Sequence, residues 1–366
     1  MKKSLYARSI LTAALVAGVA WAIPSVTMAK VTGQCANCHT MHNSQNGAVM
    51  VSTGTEPMGT LLRNNCVGCH ATDGTDKLVG ASKIPAVIRP AMATVPLPGG
   101  YFDNNNTATT DFPRFHNVLD VVGVDTNITA AGDSAHFTPP GWDESVVTDI
   151  SNGAANWNSQ LRCAGTYGCH GDHSKDDQGA AISGGHHNGT AVGFRLLKGI
   201  GGAESTDYTI GKNVYSGESM TSGNVTTTMS YLCSECHGDF HGGTDVRSGN
   251  FDATGAWIRH PTDFQLSAAY NTNDAYSTYG GASAYNIEVP VGKTGLGGTA
   301  TVSTSASDFA DWPAAGAGYV MCISCHYAHG GDNPDLLRWS YAKMIAGNAG
   351  AAADTGCFRC HTAKDS

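Results

Sequence analysis

Residues 34–50 read QCANCHTMHNSQNGAVM, and the first part of this stretch recurs along the whole chain. Cys35 and Cys38 are followed at once by His39, and a further histidine, His42, comes three residues later. Histidine makes up only 15 of the 366 residues, so composition alone does not place one after every second cysteine. The pattern therefore needs a chemical explanation, and so does the extra histidine.

The twelve cysteines form six pairs, and none is left over. The pairs are Cys35/Cys38, Cys66/Cys69, Cys163/Cys169, Cys233/Cys236, Cys322/Cys325 and Cys357/Cys360. The residues that follow the second cysteines are His39, His70, His170, His237, His326 and His361. Disulfides need no adjacent histidine, and zinc sites need two more ligands for each pair. C-x-x-C-H is the attachment motif of c-type haem, so the sequence predicts six covalent haem c groups, each with its motif histidine on the iron.

The third motif, RCAGTYGCHG, departs from this spacing. Five residues separate Cys163 from Cys169 instead of two. Gly165 and Gly168 can adopt backbone angles that let the inserted loop bulge outward, so both thiols can still reach one porphyrin. The alternative is a local Cys163–Cys169 disulfide that leaves His170 without iron. We favour haem because His170 keeps its place after the second cysteine.

The remaining histidines are numerous enough to provide a second axial ligand for every iron. Bis-histidine ligation closes an iron to substrate and gives a low potential compared with Met/His ligation. The distal candidates are His42, His116, His186, His187, His241, His260 and His329. A histidine three or four residues after its own motif cannot easily reach the far face of that haem, so it is expected to serve a neighbour. We expect only one of His186 and His187 to bind iron; His173 competes with them, and His136 is the weakest candidate.

The rest of the composition predicts a loop-rich fold. The chain contains 46 glycines and only 14% charged residues, and long amphipathic periodicity is scarce. Haems can supply the core that such a chain lacks. We therefore predict a multihaem cytochrome c, mostly irregular coil with few short helices, wrapped around a continuous stack of haems. One helix is expected near the end, capped by Asn333, started by Pro334 and stopped by Gly347.

The first residues are typical of a secretory signal peptide. Lys2, Lys3 and Arg8 precede the apolar run ILTAALVAGVAWAI, and small residues follow at positions 27 and 29. We expect cleavage after Ala29, which leaves residues 30–366 as a single hexahaem domain without a transmembrane segment. The formal net charge is −9, a poor match for nucleic acid. An uncleaved membrane anchor is the alternative, but the run is short for a bilayer span.

Several segments resemble one known family. QCANCHTMHNSQNGAVM, CSECHGDFHGG, WIRHP, CISCHYAHG and CFRCHTAKDS are similar to the hexahaem outer-surface cytochromes of Geobacter-type metal-reducing bacteria. The resemblance implies parallel haem pairs that meet edge-on, and polymerisation into conductive extracellular filaments. It also implies electron transfer to redox partners, metal oxides or electrodes. The third motif and the segment GGHHNG depart from the family pattern, which leaves the partner of the third or fourth iron open.

The resemblance also assigns a role to His42. In the family, the histidine at this position binds an iron in the next subunit, which here is the iron held by Cys322, Cys325 and His326. The alternative is that His42 binds the second haem, at His70, within its own chain. Two other functions stay open at this point. One is a multihaem reductase of the nitrite or hydroxylamine type, which needs an open iron; the other is a discrete monomeric carrier.

Overall fold

The structure is a computed structural model, and its described residues include all six cysteine–histidine motifs. The described residues are 34–49, 59–74, 76, 78–79, 84–90, 97–103, 114–122, 137–142, 150, 157–187, 193–204, 214–241, 260–266, 287–296, 302–303, 317–347 and 355–361. The predicted signal peptide and His136 lie outside these residues.

The helices of the described part are short, and the longest has six residues. The α-helices are Cys66–His70, Leu119–Val122, Gln178–Ala181, Met229–Ser234, Gly238–His241 and Cys322–Cys325. The 3₁₀ turns are Cys35–Asn37, Gly59–Leu61, Phe194–Leu196, Val225–Thr227, Pro334–Leu336, Tyr341–Lys343 and Gly356–Arg359. Asn65, Asp177 and Thr228 cap three of the α-helices with side-chain oxygens, which satisfies an otherwise free N–H in each first turn.

The strands are two or three residues long. In chain order they are β1 Ser44–Gln45, β2 Ala48–Val49, β3 Leu78–Val79, β4 Ile84–Pro85, β5 Ile88–Arg89, β6 Phe102–Asp103, β7 Arg162–Ala164, β8 Gly168–His170, β9 Gly202–Ala203, β10 Val214–Ser216, β11 Gly292–Lys293 and β12 Val302–Ser303. One sheet has four strands in the order β11-β10-β9-β12, and the others are two-stranded. β9 and β10 are antiparallel, while β11 and β12 join them in parallel. These elements connect loops rather than form layers.

Among the described residues, the buried apolar side chains form five small clusters instead of one core. Motif cysteines pack against four of these clusters. Cys169, Cys163 and Cys236 each pack against a different cluster, and a fourth cluster contacts Cys325 together with Cys357 and Cys360. The cluster that Cys325 joins shows the pattern, because Leu266, Val291 and Trp339 surround cysteines of both the fifth and the sixth motif. The apolar side chains are thus gathered where porphyrin would attach, as the predicted fold class requires.

The predicted helix after Asn333 is wrong. Pro334–Leu336 and Tyr341–Lys343 are separate 3₁₀ turns, and the Asn333 side chain makes no cap. Asp335 and Leu336 both adopt φ of 57°, which a continuous helix cannot contain. Their carbonyl oxygens instead accept hydrogen bonds from His326 Nδ1 at 2.7 Å and from the Tyr327 N–H at 2.8 Å. The fifth motif competes for the backbone groups that the helix would have used.

Candidate metal centres

Five of the attachment motifs are built on one helical turn. The N–H of His39 donates to the Cys35 carbonyl at 2.8 Å, and those of His237, His326 and His361 make the same contact with the first cysteine of their motifs. In the second motif the whole segment Cys66–His70 is helical. Residues three and four apart lie on the same side of such a turn, so both thiols and the imidazole face the same space.

The third motif reaches a similar arrangement through its inserted loop. β7 and β8 pair with Arg162 opposite Gly168 and Ala164 opposite His170, which brings Cys163 and Cys169 to corresponding positions. Gly165 turns the chain with a φ of +87°, and a Cβ there would lie 2.4 Å from the Lys175 carbonyl oxygen. Both cysteines are free thiols, as are the other ten. The disulfide alternative is therefore absent from this structure.

The motif histidines are oriented by backbone carbonyl groups. Nδ1 contacts a carbonyl oxygen in five of them: Thr60 for His39 at 3.1 Å, Pro85 for His70 at 2.9 Å, Arg195 for His170 at 3.1 Å, Pro140 for His237 at 2.7 Å and Asp335 for His326 at 2.7 Å. The carbonyl can only accept, so Nδ1 carries the proton. Nε2 then keeps its lone pair, as in histidines that bind metals through Nε2.

Five motif histidines have a second histidine ring close by. In four of the pairs the ring planes lie within 39° of parallel, whereas His260 meets His361 edge-on at 82°. The ring-centre distances are 6.0 Å for His39–His187, 6.3 Å for His70–His186, 6.3 Å for His170–His329, 6.3 Å for His116–His237 and 6.1 Å for His260–His361. An imidazole–metal bond is about 2.0 Å long, so two such bonds plus the two half-rings beyond them span about 6 Å. The separation thus fits one iron between each pair of rings.

The distal partners come from distant parts of the chain. His186 and His187 face different motifs, the second and the first, whereas the sequence suggested that only one of them would be used. His329 faces His170 of the third motif, and His116 faces His237 of the fourth. The His116 ring is oriented by the Ala328 carbonyl at 2.7 Å, so the chain after the fifth motif positions both distal rings.

Two distal candidates do not face a motif histidine. His241 is buried, and its Nε2 bonds to the Asp263 carboxylate at 2.7 Å. His42 lies on an exposed turn with φ of 60°, just before β1. Because His70 already faces His186, the alternative in which His42 serves the second iron has no place in this arrangement. His173 is 2% exposed and likewise lies outside the five pairs.

The fifth motif differs from the other five. His326 is exposed, and within the described residues no histidine ring faces it. The nearest interacting histidines, His237 and His116, already face each other. An iron on His326 would therefore need a ligand from outside the described part of one chain.

Burial sets the protonation states of these groups. Burial lowers the pKa of His116 and of His170 to about 4, and that of His329 to about 3. All three imidazoles are therefore neutral at pH 7, the state in which histidine binds metals. Burial also raises the pKa of the Cys169 thiol to about 11. No cluster of three or more potential metal ligands occurs among the described residues.

Successive motifs lie close together in space. The thiols of Cys66 and Cys163 are in hydrogen-bond contact, which links the second and third motifs. Those of Cys233 and Cys322 make the same contact between the fourth and fifth. Electrostatic interactions also join Cys38 to Cys69, Cys169 to Cys236, and Cys325 to Cys357. The motifs therefore follow one another in space in the order of the sequence.

One buried side chain that the sequence analysis did not single out, Arg89, is also suited to contact a haem. Arg89 is fully buried, and all three of its side-chain nitrogens lack a hydrogen-bond partner. A signal was present in the sequence, since Arg89 interrupts the apolar run IPAVIRPA. Buried cations are normally paired, so this group indicates a missing anion, and haem carries propionate carboxylates.

These features define a c-type cytochrome with several haem sites. The last 54 residues, 313–366, match the family model of the doubled CXXCH motif. Over most of its length the chain is similar to the C-type cytochrome OmcS of Geobacter sulfurreducens, at 27% identity over 369 aligned positions that cover 88% of this chain and 82% of the relative. This similarity confirms the resemblance and the fold class predicted from the motifs.

Two solved structures of that organism's protein are also similar. The outer membrane cytochrome S filament matches with a TM-score of 0.44 at 20% identity, over 89% of this chain and 88% of that one. The OmcS nanowires match with a TM-score of 0.43 at 20% identity, over 87% and 86%. In the described part of the chain, no helix has the length and apolar character needed to cross a bilayer.

Proposed function

We propose that the chain carries six haem c groups within residues 30–366 and conducts electrons along them. The observation that carries the proposal is the set of five facing histidine pairs, each with a ring separation of 6.0–6.3 Å. Bound haem supplies one-electron chemistry at its iron, and an iron with two protein ligands has no position for substrate. This arrangement favours electron transfer over catalysis.

The order of the motifs supports conduction along the chain. Contacts between cysteines of successive motifs, such as Cys66 with Cys163 and Cys233 with Cys322, bring the edges of neighbouring porphyrins together. The protein's part is to fix these gaps with short loops and buried clusters. His329 contributes to this by facing the third motif, although it follows the fifth.

We further propose that copies of the chain join end to end, with His42 binding the iron of the next copy at His326. Both residues are exposed. The exposed large apolar side chains of the described residues lie near these two sites: Met41 at 67%, Val49 at 68% and Leu61 at 45% near His42, and Tyr341 at 72% and Ile345 at 55% after the fifth motif. Exposed apolar side chains in both segments favour head-to-tail contact between copies.

Export follows from the predicted signal peptide at residues 1–29, so we place the filament at the outer cell surface. Redox proteins and solid acceptors such as metal oxides or electrodes are its proposed partners. Electron microscopy of the secreted holoprotein tests assembly. Filaments that show six haems per copy would support the proposal, whereas discrete particles at high concentration would favour a monomeric carrier.

One observation favours a second candidate function. The exposed His326 has no facing ring within the described residues, so its iron could stay open in a single copy. An open iron is what a nitrite or hydroxylamine reductase needs. Carbon monoxide separates the two functions: filaments should scarcely change their reduced spectrum on exposure to the gas. A strong carbon monoxide band in the filaments, together with rapid turnover of nitrite, would favour the reductase.

A further inference from the structure

Arg89 is a buried cation without an acceptor in the described part of the protein. It lies on β5 with 0% exposure, and Nε, Nη1 and Nη2 all lack hydrogen-bond partners. Burial lowers the pKa of Arg89, but a guanidinium does not lose its proton in proteins. The nearby Tyr101 ring, 5.3 Å from the guanidinium carbon, gives a cation–π contact that leaves every N–H without an acceptor.

Two other arginines show how this protein normally satisfies such groups. Arg338 is also buried, but its guanidinium donates to the carbonyl oxygens of Ile323 at 2.6 Å and Pro98 at 2.7 Å. Arg114 pairs with the Asp332 carboxylate at 3.5 Å. Arg89 is the exception among these three, so its position calls for an acceptor that the described part of the chain does not supply.

Asp332, the carboxylate whose field reaches Arg89, is already engaged. Asp332 accepts the Tyr101 hydroxyl at 2.6 Å and pairs with Arg114, and it influences Arg89 only through its field. An additional anion is therefore needed beside Arg89. The planar fork of N–H groups matches a carboxylate, which can accept two parallel hydrogen bonds.

The location of Arg89 places this anion next to the metal centres. The Val87 N–H donates to the His70 carbonyl at 2.9 Å, so β5 runs beside the second attachment motif. On the neighbouring strand β6, the Phe102 ring lies 5.1 Å from the ring of His329, the distal histidine of the third motif. The carboxylates that haem brings to this region are its propionates.

We propose that Arg89 binds a haem propionate and thereby raises the reduction potential of that haem above the value it would otherwise have. A buried positive charge offsets the propionate's negative charge in a medium of low dielectric, which favours the reduced iron. Arg89 is a positioning and tuning residue, since it does not touch the iron. The inference rests on the proposed haem attachment, but not on filament formation.

The test is a spectroelectrochemical titration of the holoprotein with Arg89→Gln, checked first for six haems by intact mass. We expect one component of the titration to move to lower potential while the others stay in place, with all irons still low-spin. The propionate bending band in resonance Raman spectra should shift as well. Arg89→Lys keeps the positive charge but loses the planar fork of N–H groups. Its reduction potential should therefore lie close to that of the unmodified protein, while its propionate Raman band should stay shifted as in Arg89→Gln.

Lys198→Gln is the control, because it removes a cation whose carboxylate partner, Asp172, is not among the groups that act on Arg89; it should leave both readouts unchanged. An Arg89→Gln protein with six haems and an unaltered titration would overturn the inference. If neither Arg89 variant matures, a near-atomic map of the unmodified holoprotein decides. A propionate oxygen within hydrogen-bond distance of the guanidinium supports it, whereas a protein carboxylate, a chloride or water in that place overturns it. Fewer than six haems by mass in the unmodified protein would instead count against the proposed function.

Discussion

The imidazole rings of His170 and His329 face each other with their centres 6.3 Å apart. His170 belongs to the third motif, and His329 follows the fifth motif by three residues. Burial lowers the pKa of His170 to about 4 and that of His329 to about 3, so both imidazoles are neutral at pH 7. The pair brings two distant parts of the chain to one candidate metal position.

His329→Ala should open one iron without loss of haem. Attachment depends on the cysteines, while the distal imidazole only completes the coordination of the third iron. We expect six haems by intact mass and one high-spin iron per chain by electron paramagnetic resonance. Carbon monoxide should then bind to one haem of the reduced protein.

His241→Gln is the matched control for this change. His241 also follows its motif closely, but its Nε2 bonds to Asp263 at 2.7 Å, and a glutamine amide can make a similar bond. Its spectrum should stay fully low-spin. A high-spin iron in His241→Gln, or none in His329→Ala, would contradict the pairing of His170 with His329.

The adjacent pair His186 and His187 should serve two different irons. His186 faces His70 and His187 faces His39, so each single alanine variant should give one high-spin iron. The double variant should give two, which spin quantification measures directly. A single high-spin iron in the double variant would mean that only one of the two histidines is a ligand.

Gly165→Ala should impair the third haem site. The left-handed φ of +87° strains any residue with a Cβ by about 1–2 kcal/mol, and the Cβ would also lie 2.4 Å from the Lys175 carbonyl oxygen. Gly199, with φ of +82° and open space around its Cβ position, is the control, because Gly199→Ala brings only the backbone strain. We expect a lower haem count and a lower unfolding temperature for the Gly165 variant than for the Gly199 variant. Equal effects would show that the inserted loop does not depend on this close approach.

Acid should release the distal ligands only well below pH 6.5. The folded pKa of His116 is about 4, against about 6.5 in an unfolded chain. The unfolded state therefore binds more protons in that window, so stability is full above pH 6.5 and falls as the pH drops toward 4. The difference is about 3 kcal/mol for such a group. Iron bound at Nε2 opposes protonation further, so a spectral titration should show low-spin haem from pH 7 down to about pH 4. A conversion to high-spin haem centred at pH 6.5 would contradict the burial of these histidines.

The motifs predicted the attachment chemistry because cysteine and histidine spacing is a local property. One helical turn joins Cys35 to His39, so the sequence alone places those groups together. The long loop of the third motif could also be foreseen from Gly165, whose positive φ the structure confirms. The low content of regular structure followed from the composition and is confirmed as well.

The pairing of rings could not be read from the sequence, since it depends on how distant loops meet. His116 is oriented by the Ala328 carbonyl, and no residue pattern marks a backbone acceptor. His241 follows its motif by four residues, much as His329 follows its motif by three, yet the His241 ring bonds to Asp263 instead. The helix expected after Asn333 failed for a related reason, because His326 draws on the Asp335 carbonyl. Local propensity was overridden in each case by the needs of a neighbouring motif.

A near-atomic electron microscopy map of the secreted holoprotein shows directly whether a chain of haems runs through each copy and into the next. We expect six haems per copy, five of them between the histidine pairs described here. The sixth iron should lie between His326 and His42 of the next copy, and the chain of haems should continue through the contact. Discrete particles in which water, His136 or another residue of the same chain completes the iron at His326 would contradict it.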